Sequence, residues 1–109
     1  MLFGRRFDKT SEEVAHDMKN REDVLLVDVR EVEEYEQGHI PGAVLLPLSQ
    51  VEAKAESMLD KEKQLYVYCR SGQRSASAVR KLKQMGYEHV YNIGGIMQWP
   101  YDVKGGRQP

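Results

Sequence analysis

Apolar and polar residues are arranged along the chain in blocks that switch between a strand pattern and a helix pattern. Two nearly continuous apolar runs, VLLVDV at 24–29 and QLYVYC at 64–69, are typical of strands covered on both faces of a parallel sheet. The shorter runs AVLL at 43–46 and HVYNI at 89–93 predict further strands. We therefore expect a sheet of about four to five strands.

Between these runs, apolar residues recur at helical spacing. A Ser or Thr followed three residues later by Glu forms a capping box, which marks a helix start, and Gly marks a helix end. Four helices are predicted. The first follows a capping box at Thr10 and Glu13, and the second spans 31–37. The third follows a capping box at Ser49 and Glu52, and the fourth spans 74–85. A final helical turn is predicted within GIMQW at 95–99.

Strands that alternate with helices indicate an α/β fold. We expect a small, mostly parallel central sheet with helices on both faces. The 109 residues suffice for one hydrophobic core. We predict an N-terminal lead-in at 1–9, one domain at 10–101 and a flexible C-terminal tail at 102–109.

Composition excludes several classes of partner. A net charge of -1 provides no broad basic surface, so we expect no nucleic acid partner. The basic N-terminal residues precede no long apolar run, so we expect neither a signal peptide nor a membrane span. The chain has one cysteine and cannot form an internal disulfide, which favours a reducing cytoplasm.

That cysteine, Cys69, stands where the strand at 64–69 gives way to a polar loop and then a helix. In α/β sheets, ligands bind outside the carboxyl ends of the strands. The amides and the positive dipole end of the following helix, together with Arg70 and Arg74, favour a thiolate. We therefore expect a lowered pKa for Cys69, although a lone cysteine is also a common buried packing residue.

The loop is also expected to bind an anion. Successive backbone N–H groups form a cradle for a negatively charged group. A nucleophile beside such a cradle suits covalent transfer of an anionic group. The histidines have no cysteine or carboxylate at ligand spacing, so no metal site is expected.

Three segments resemble one family. CRSGQRS at 69–75 resembles the active-site loop of rhodanese-type sulfurtransferases. LLVDVREVEEYEQGHIPGA at 25–43 and IGGIMQW at 93–99 resemble two further motifs of that family, in the same order. The resemblance implies a rhodanese-like fold and an enzyme that needs no cofactor. Cys69 would take a sulfane sulfur from an anionic donor such as thiosulfate, carry it as a persulfide, and pass it to cyanide, a thiol or a partner protein.

The resemblance also implies roles for the neighbours of Cys69. The backbone amides of the loop would stabilise the persulfide anion, and its two arginines would attract the donor. Asp28 and Arg30 would form an ion pair that braces the loops around the pocket. The predicted loop residues are Arg70, Ser71, Gly72, Gln73 and Arg74.

Two other functions stay open at this point. A cysteine-dependent phosphatase or arsenate reductase also aims a cysteine loop at a helix N-terminus, but its signature has one more residue between cysteine and arginine than the four found here. The chain could also be a sulfur-carrying or regulatory binding module whose substrate is a partner protein. The sequence alone separates this module poorly from an enzyme.

Overall fold

The computed structural model describes residues 7–109, so most of the predicted lead-in lies outside the described residues. The helices are α1 Ser11–Asn20, α2 Val32–Gln37, α3 Val51–Met58 and α4 Gln73–Gln84. The strands are β1 Val24–Asp28, β2 Val44–Leu45, β3 Gln64–Cys69 and β4 Val90–Gly95. Short 3-10 turns cover Leu48–Gln50 and Ile96–Gln98.

The four strands form one parallel sheet in the order β2-β1-β3-β4. The two apolar runs of the sequence, β1 and β3, lie side by side at its centre, with Val27 opposite Val67. Parallel strands need a crossover connection, and the helices between successive strands provide it. The predicted α/β fold is confirmed.

The core lies on both faces of this sheet because side chains alternate along a strand. One face carries Leu65, Val67 and Cys69, which pack with the apolar residues of α3 and α4. The other face carries Tyr66 and Tyr68, which pack with the apolar residues of α1 and α2. Burial of a side chain such as Leu65 or Val67 contributes about 1.5–3 kcal/mol, and both helical layers add buried side chains to the core.

The two predicted capping boxes have different outcomes. Thr10 and Glu13 form theirs: the Glu13 N–H donates to Thr10 Oγ1 at 3.1 Å, and the Thr10 N–H donates to Glu13 Oε1 at 2.9 Å. The prediction at Ser49 and Glu52 was wrong. The 3-10 turn Leu48–Gln50 intervenes, so α3 begins only at Val51 and has no side-chain cap.

Strand β4 is longer at its carboxyl end than the sequence indicated. It continues through Gly94 and Gly95, which pair with Tyr68 and Cys69 after a register shift in the sheet. A β-carbon at position 95 would lie 1.9 Å from the carbonyl oxygen of Arg70. The absence of a side chain therefore allows β4 to pack directly against the loop after Cys69.

The C-terminal residues are exposed but hydrogen-bonded to the domain. The His39 N–H donates to the Lys104 carbonyl at 2.9 Å, and the Lys104 N–H donates back at 2.8 Å. The Gly106 N–H donates to the Glu36 carbonyl at 2.8 Å. The flexibility predicted for 102–109 stays a prediction, and these bonds oppose it.

In the described part of the chain, no helix has the length and apolar character needed to span a membrane.

Candidate active site

Cys69 is the last residue of β3. A loop of three residues, 70–72, connects it to Gln73, the first residue of α4. Gly72 is the residue that caps this helix, and its φ of 106° lies in the left-handed region that favours glycine. This turn directs the N-terminus of α4 back toward the cysteine. Cys69 itself is 1% exposed, so its thiol lies beneath the loop.

The sulfur of Cys69 contacts two polar groups of the loop and of the first turn of α4. The Gly72 N–H donates to Sγ at 3.0 Å, and Ser75 Oγ lies 3.5 Å from Sγ. Burial raises the pKa of Cys69, but the hydroxyl of Ser75 and the backbone N–H groups of Ser75, Gly72 and Ser71 outweigh it. The pKa of Cys69 is therefore lowered, in the predicted direction, and hydrogen bonds are the cause.

Ser75 was not among the predicted site residues. It is fully buried, donates to Asn92 Oδ1 at 2.7 Å, and lies 3.3 Å from the carbonyl oxygen of Gly94. Side chains on a helix tilt toward its N-terminus, so a hydroxyl in the first turn of α4 is directed back at the loop. That rule could have identified Ser75 from the sequence.

The two arginines of the loop differ. Arg74 donates two hydrogen bonds to the carboxylate of Glu34 on α2, at 2.7 and 2.9 Å. These bonds lower the pKa of Glu34 to about 2. Arg70 is exposed, and no salt bridge joins it to any residue of 7–109. The guanidinium charge of Arg74 is thus largely balanced by Glu34, whereas that of Arg70 faces solvent.

The other predicted loop residues have exposed side chains, apart from the buried Gly72. Ser71 and Gln73 are both exposed. Ser71 favours the thiolate through its backbone N–H, while Gln73 is the first residue of α4. The structure thus brings the backbone of the predicted cradle to Sγ, chiefly through Gly72 and Ser71.

Asp28 and Arg30 form a buried ion pair at the end of β1. Arg30 Nη2 donates to Asp28 Oδ2 at 2.8 Å and to the carbonyl oxygen of Gly38 at 2.7 Å. Asp28 is the register partner of Tyr68, so the pair lies on the opposite face of the sheet from Cys69. This arrangement ties β1 to the residue that ends α2, and no atom of the pair is placed against the sulfur by a hydrogen bond.

His39 contacts backbone rather than a catalytic group. Its Nδ1 lies 2.9 Å from the Tyr35 carbonyl oxygen, its Nε2 lies 2.8 Å from the Gln108 carbonyl oxygen, and its ring stacks on that of Tyr35.

Across residues 7–109, no cluster of three or more His, Cys, Asp and Glu side chains could hold a metal ion.

Comparison with known proteins identifies the family of this chain. Residues 11–101 match the model of the rhodanese-like domain family. The chain is 42% identical over 71 residues to the thiosulfate sulfurtransferase PspE of Escherichia coli, which covers 64% of this chain and 68% of PspE. It is 43% identical over 79 residues to the putative sulfur carrier protein YrkF of Bacillus subtilis, which covers 72% of this chain but 42% of YrkF.

A solved structure has the same fold. A rhodanese-related protein of Thermoplasma volcanium superposes with a TM-score of 0.79 at 30% identity, covering 88% of this chain and 95% of that one. The fold and the cysteine loop define a small α/β domain with a buried cysteine at the end of a central strand. The chain belongs to the rhodanese-like family, whose relatives include sulfurtransferases.

Proposed function

We propose that this protein is a sulfurtransferase that carries a sulfane sulfur as a persulfide on Cys69. The observation that supports it best is the Gly72 N–H, 3.0 Å from the sulfur of a cysteine at the carboxyl end of a central strand. Such a donor stabilises negative charge on sulfur. Both the thiolate and a persulfide anion carry that charge.

In the first step, the Cys69 thiolate attacks the outer sulfur of thiosulfate. The bond between the two donor sulfurs breaks, and sulfite leaves with the electron pair. The negative charge then resides on the terminal sulfur of the persulfide. The backbone N–H groups of Ser71 and Gly72, which favour negative charge on Sγ, would also help to stabilise this charge.

In the second step, an acceptor nucleophile attacks the terminal sulfur. The bond between the terminal sulfur and Sγ breaks. Sγ keeps the electron pair, and Cys69 returns to the thiolate. With cyanide as acceptor, the product is thiocyanate. The chain has one cysteine, so no internal thiol can resolve the persulfide and the acceptor comes from outside.

Thiosulfate is the donor we favour. PspE, which is similar to this chain, is named a thiosulfate sulfurtransferase. The exposed charge of Arg70 suits a small dianion. The free thiol that the mechanism needs is preserved in a reducing compartment, so we place the protein in the cytoplasm.

The test is incubation with thiosulfate, followed by mass spectrometry and by a thiocyanate assay after addition of cyanide. We expect one extra sulfur on Cys69 and continuous formation of thiocyanate. Cys69→Ser should show neither and keep the circular dichroism spectrum of the unmodified protein. Thiocyanate formation by Cys69→Ser, or none by the unmodified protein, would contradict the proposal.

A second candidate is a sulfur carrier that delivers its persulfide to a partner protein. The name of YrkF, a putative sulfur carrier protein, favours it. Single-turnover and multiple-turnover experiments distinguish the two functions. A carrier would form the persulfide with thiosulfate but release it slowly to cyanide and other small thiophiles, whereas an enzyme would turn over repeatedly.

The phosphatase alternative receives no support from the loop. A phosphoryl group brings three peripheral oxygens to be bound during attack by the cysteine, and Arg74 is already engaged with Glu34. We therefore expect negligible hydrolysis of p-nitrophenyl phosphate. Hydrolysis that is lost in Cys69→Ser, without sulfur transfer, would reverse this choice.

A further inference from the structure

Phe7 lies on the loop that follows Cys69, although it precedes residues 11–101, which match the family. A β-carbon at Gly72 would lie 2.5 Å from Phe7 Cε1, and one at Gly94 would lie 2.7 Å from Phe7 Cδ2. The phenyl ring therefore packs on the bare α-carbons of two glycines. Both glycines have positive φ, so neither position readily accepts a side chain.

Asp8 attaches the same segment to the edge strand β4. The Asp8 N–H donates to the Asn92 carbonyl at 2.9 Å, and the Asn92 N–H donates to Asp8 Oδ2 at 2.7 Å. These bonds satisfy backbone groups on the outer edge of the sheet. Phe7 and Asp8 together form what we call the N-terminal clamp.

The side chain of Asn92 continues from the clamp to the sulfur site. Its Nδ2 donates to the Gly72 carbonyl at 3.2 Å, and its Oδ1 accepts from Ser75 Oγ at 2.7 Å. Ser75 Oγ and the Gly72 N–H lie 3.5 and 3.0 Å from Cys69 Sγ. The clamp thus reaches both groups that contact the sulfur: the Phe7 ring packs on Gly72, and Asn92 hydrogen-bonds to Ser75.

We propose that Phe7 and Asp8 are positioning residues for sulfur transfer, which keep the Gly72 N–H and the Ser75 side chain against the sulfur of Cys69. This inference rests on the proposed function. Gly72 has wide conformational freedom and is flanked by the exposed side chains of Ser71 and Gln73. Without the ring, the Gly72 amide can rotate away from Sγ, and a donor fixed before reaction is what stabilises developing charge.

The test compares full-length variants by two readouts: the pH dependence of Cys69 alkylation by iodoacetamide, and kcat and KM for thiosulfate in the cyanide assay. Phe7→Ala should move the alkylation midpoint upward by about half a pH unit or more and lower kcat roughly tenfold, with a smaller change in KM. Phe7→Leu, which retains an apolar side chain on the two glycines, should recover most of the loss.

Two further variants complete the design. Asp8→Ala removes the carboxylate that accepts a hydrogen bond from the Asn92 N–H, while it keeps the ring and the backbone bond from the Asp8 N–H. It should shift the alkylation midpoint in the same direction by a smaller amount. It keeps the proposal falsifiable if Phe7→Ala fails to fold. Val103→Ala truncates an exposed apolar side chain of the C-terminal segment and should match the unmodified protein.

An unchanged alkylation profile in folded Phe7→Ala, or in Asp8→Ala if Phe7→Ala is unfolded, would overturn the proposal. A rise in kcat for Phe7→Ala would also overturn it, because the ring would then obstruct the site rather than support it. Alkylation requires no sulfur donor. If the unmodified protein moves no sulfur, the proposed function fails, whereas the alkylation profiles still decide whether the clamp holds Gly72 and Ser75 against the sulfur.

Discussion

Glu34 and Arg74 join α2 to the first turn of α4 through two parallel hydrogen bonds of 2.7 and 2.9 Å. The Glu31 N–H also donates to Glu34 Oε1 at 3.0 Å, which holds the carboxylate in place. A planar guanidinium fits a carboxylate in this two-bond geometry. The pair therefore fixes the direction of Arg74 beside the loop, whereas the side chain of Arg70 is exposed.

We predict that the donor is attracted by Arg70 more than by Arg74. Arg70→Ala should raise the KM for thiosulfate by about threefold to tenfold with a smaller change in kcat, because a charge that faces solvent acts on donor approach. Arg74→Ala should chiefly lower kcat and stability, because it releases the start of α4. Steady-state kinetics of both variants measure this difference.

Arg80→Ala is the matched control, since Arg80 is an exposed arginine farther along α4. Its KM should equal that of the unmodified protein. Added salt should lower kcat/KM in the unmodified protein by screening, and should do so less in Arg70→Ala. Salt-independent kinetics with an unchanged KM in Arg70→Ala would contradict the prediction.

A second prediction concerns acid stability. The pKa of Glu34 is lowered from 4.5 to about 2 by the hydrogen bonds from Arg74. A carboxyl whose pKa is depressed by folding stabilises the folded state above its unfolded pKa, and that contribution is lost as pH falls toward the folded pKa. Unmodified protein should exceed Glu34→Gln in stability by about 1 kcal/mol at neutral pH, and the difference should shrink between pH 4.5 and about 2.

Thermal unfolding followed by circular dichroism across this pH range gives the measurement. Glu33→Gln is the control, because Glu33 is an exposed glutamate on the same helix. Its difference from the unmodified protein should be small throughout. A stability difference for Glu34→Gln that stays constant down to pH 2 would show that the ion pair is not its cause.

A third prediction concerns Ser75. Its hydroxyl is among the groups that lower the pKa of Cys69. The alkylation midpoint of the unmodified protein should lie below about 8.5, the value of an ordinary thiol, and Ser75→Ala should raise it. Ser77→Ala, on the same helix, should leave the midpoint unchanged. Equal midpoints for Ser75→Ala and the unmodified protein would remove Ser75 from the site.

A fourth prediction concerns the contact between β4 and the loop. A β-carbon at Gly95 would lie 1.9 Å from the Arg70 carbonyl oxygen. Gly95→Ala should therefore destabilise the protein by about 3 kcal/mol and slow sulfur transfer, because the loop backbone must move. At Gly38 the nearest atom to such a carbon is Val103 Cγ2 at 3.6 Å.

Urea unfolding of Gly95→Ala and Gly38→Ala measures the stability that each variant loses. Gly38 is the matched control because its φ of 168° is extended backbone that any residue adopts. Gly38→Ala should lose little stability. Equal midpoints for the two variants would mean that the loop tolerates displacement by β4.

Much of the fold could be predicted from the sequence because its determinants are local. The apolar runs at 24–29 and 64–69 became the central strands, and the glycines after α2 and α4 stand where those helices end. The position of Cys69 at a strand end followed from the same pattern. Two features close to it in sequence, the left-handed Gly72 and the hydroxyl of Ser75, also obey local rules.

Only the tertiary structure decided how this loop is held. Glu34 and Arg74 are separated by 40 residues, and Ser75 and Asn92 by 17. Phe7 reaches Gly72 and Gly94 from the other end of the chain. Periodicity and capping describe a residue and its neighbours within a few positions, whereas these contacts depend on strand order and on the register shift in β4. The sequence by itself therefore indicated Cys69 as the candidate nucleophile, and long-range packing determined which residues hold its loop in place.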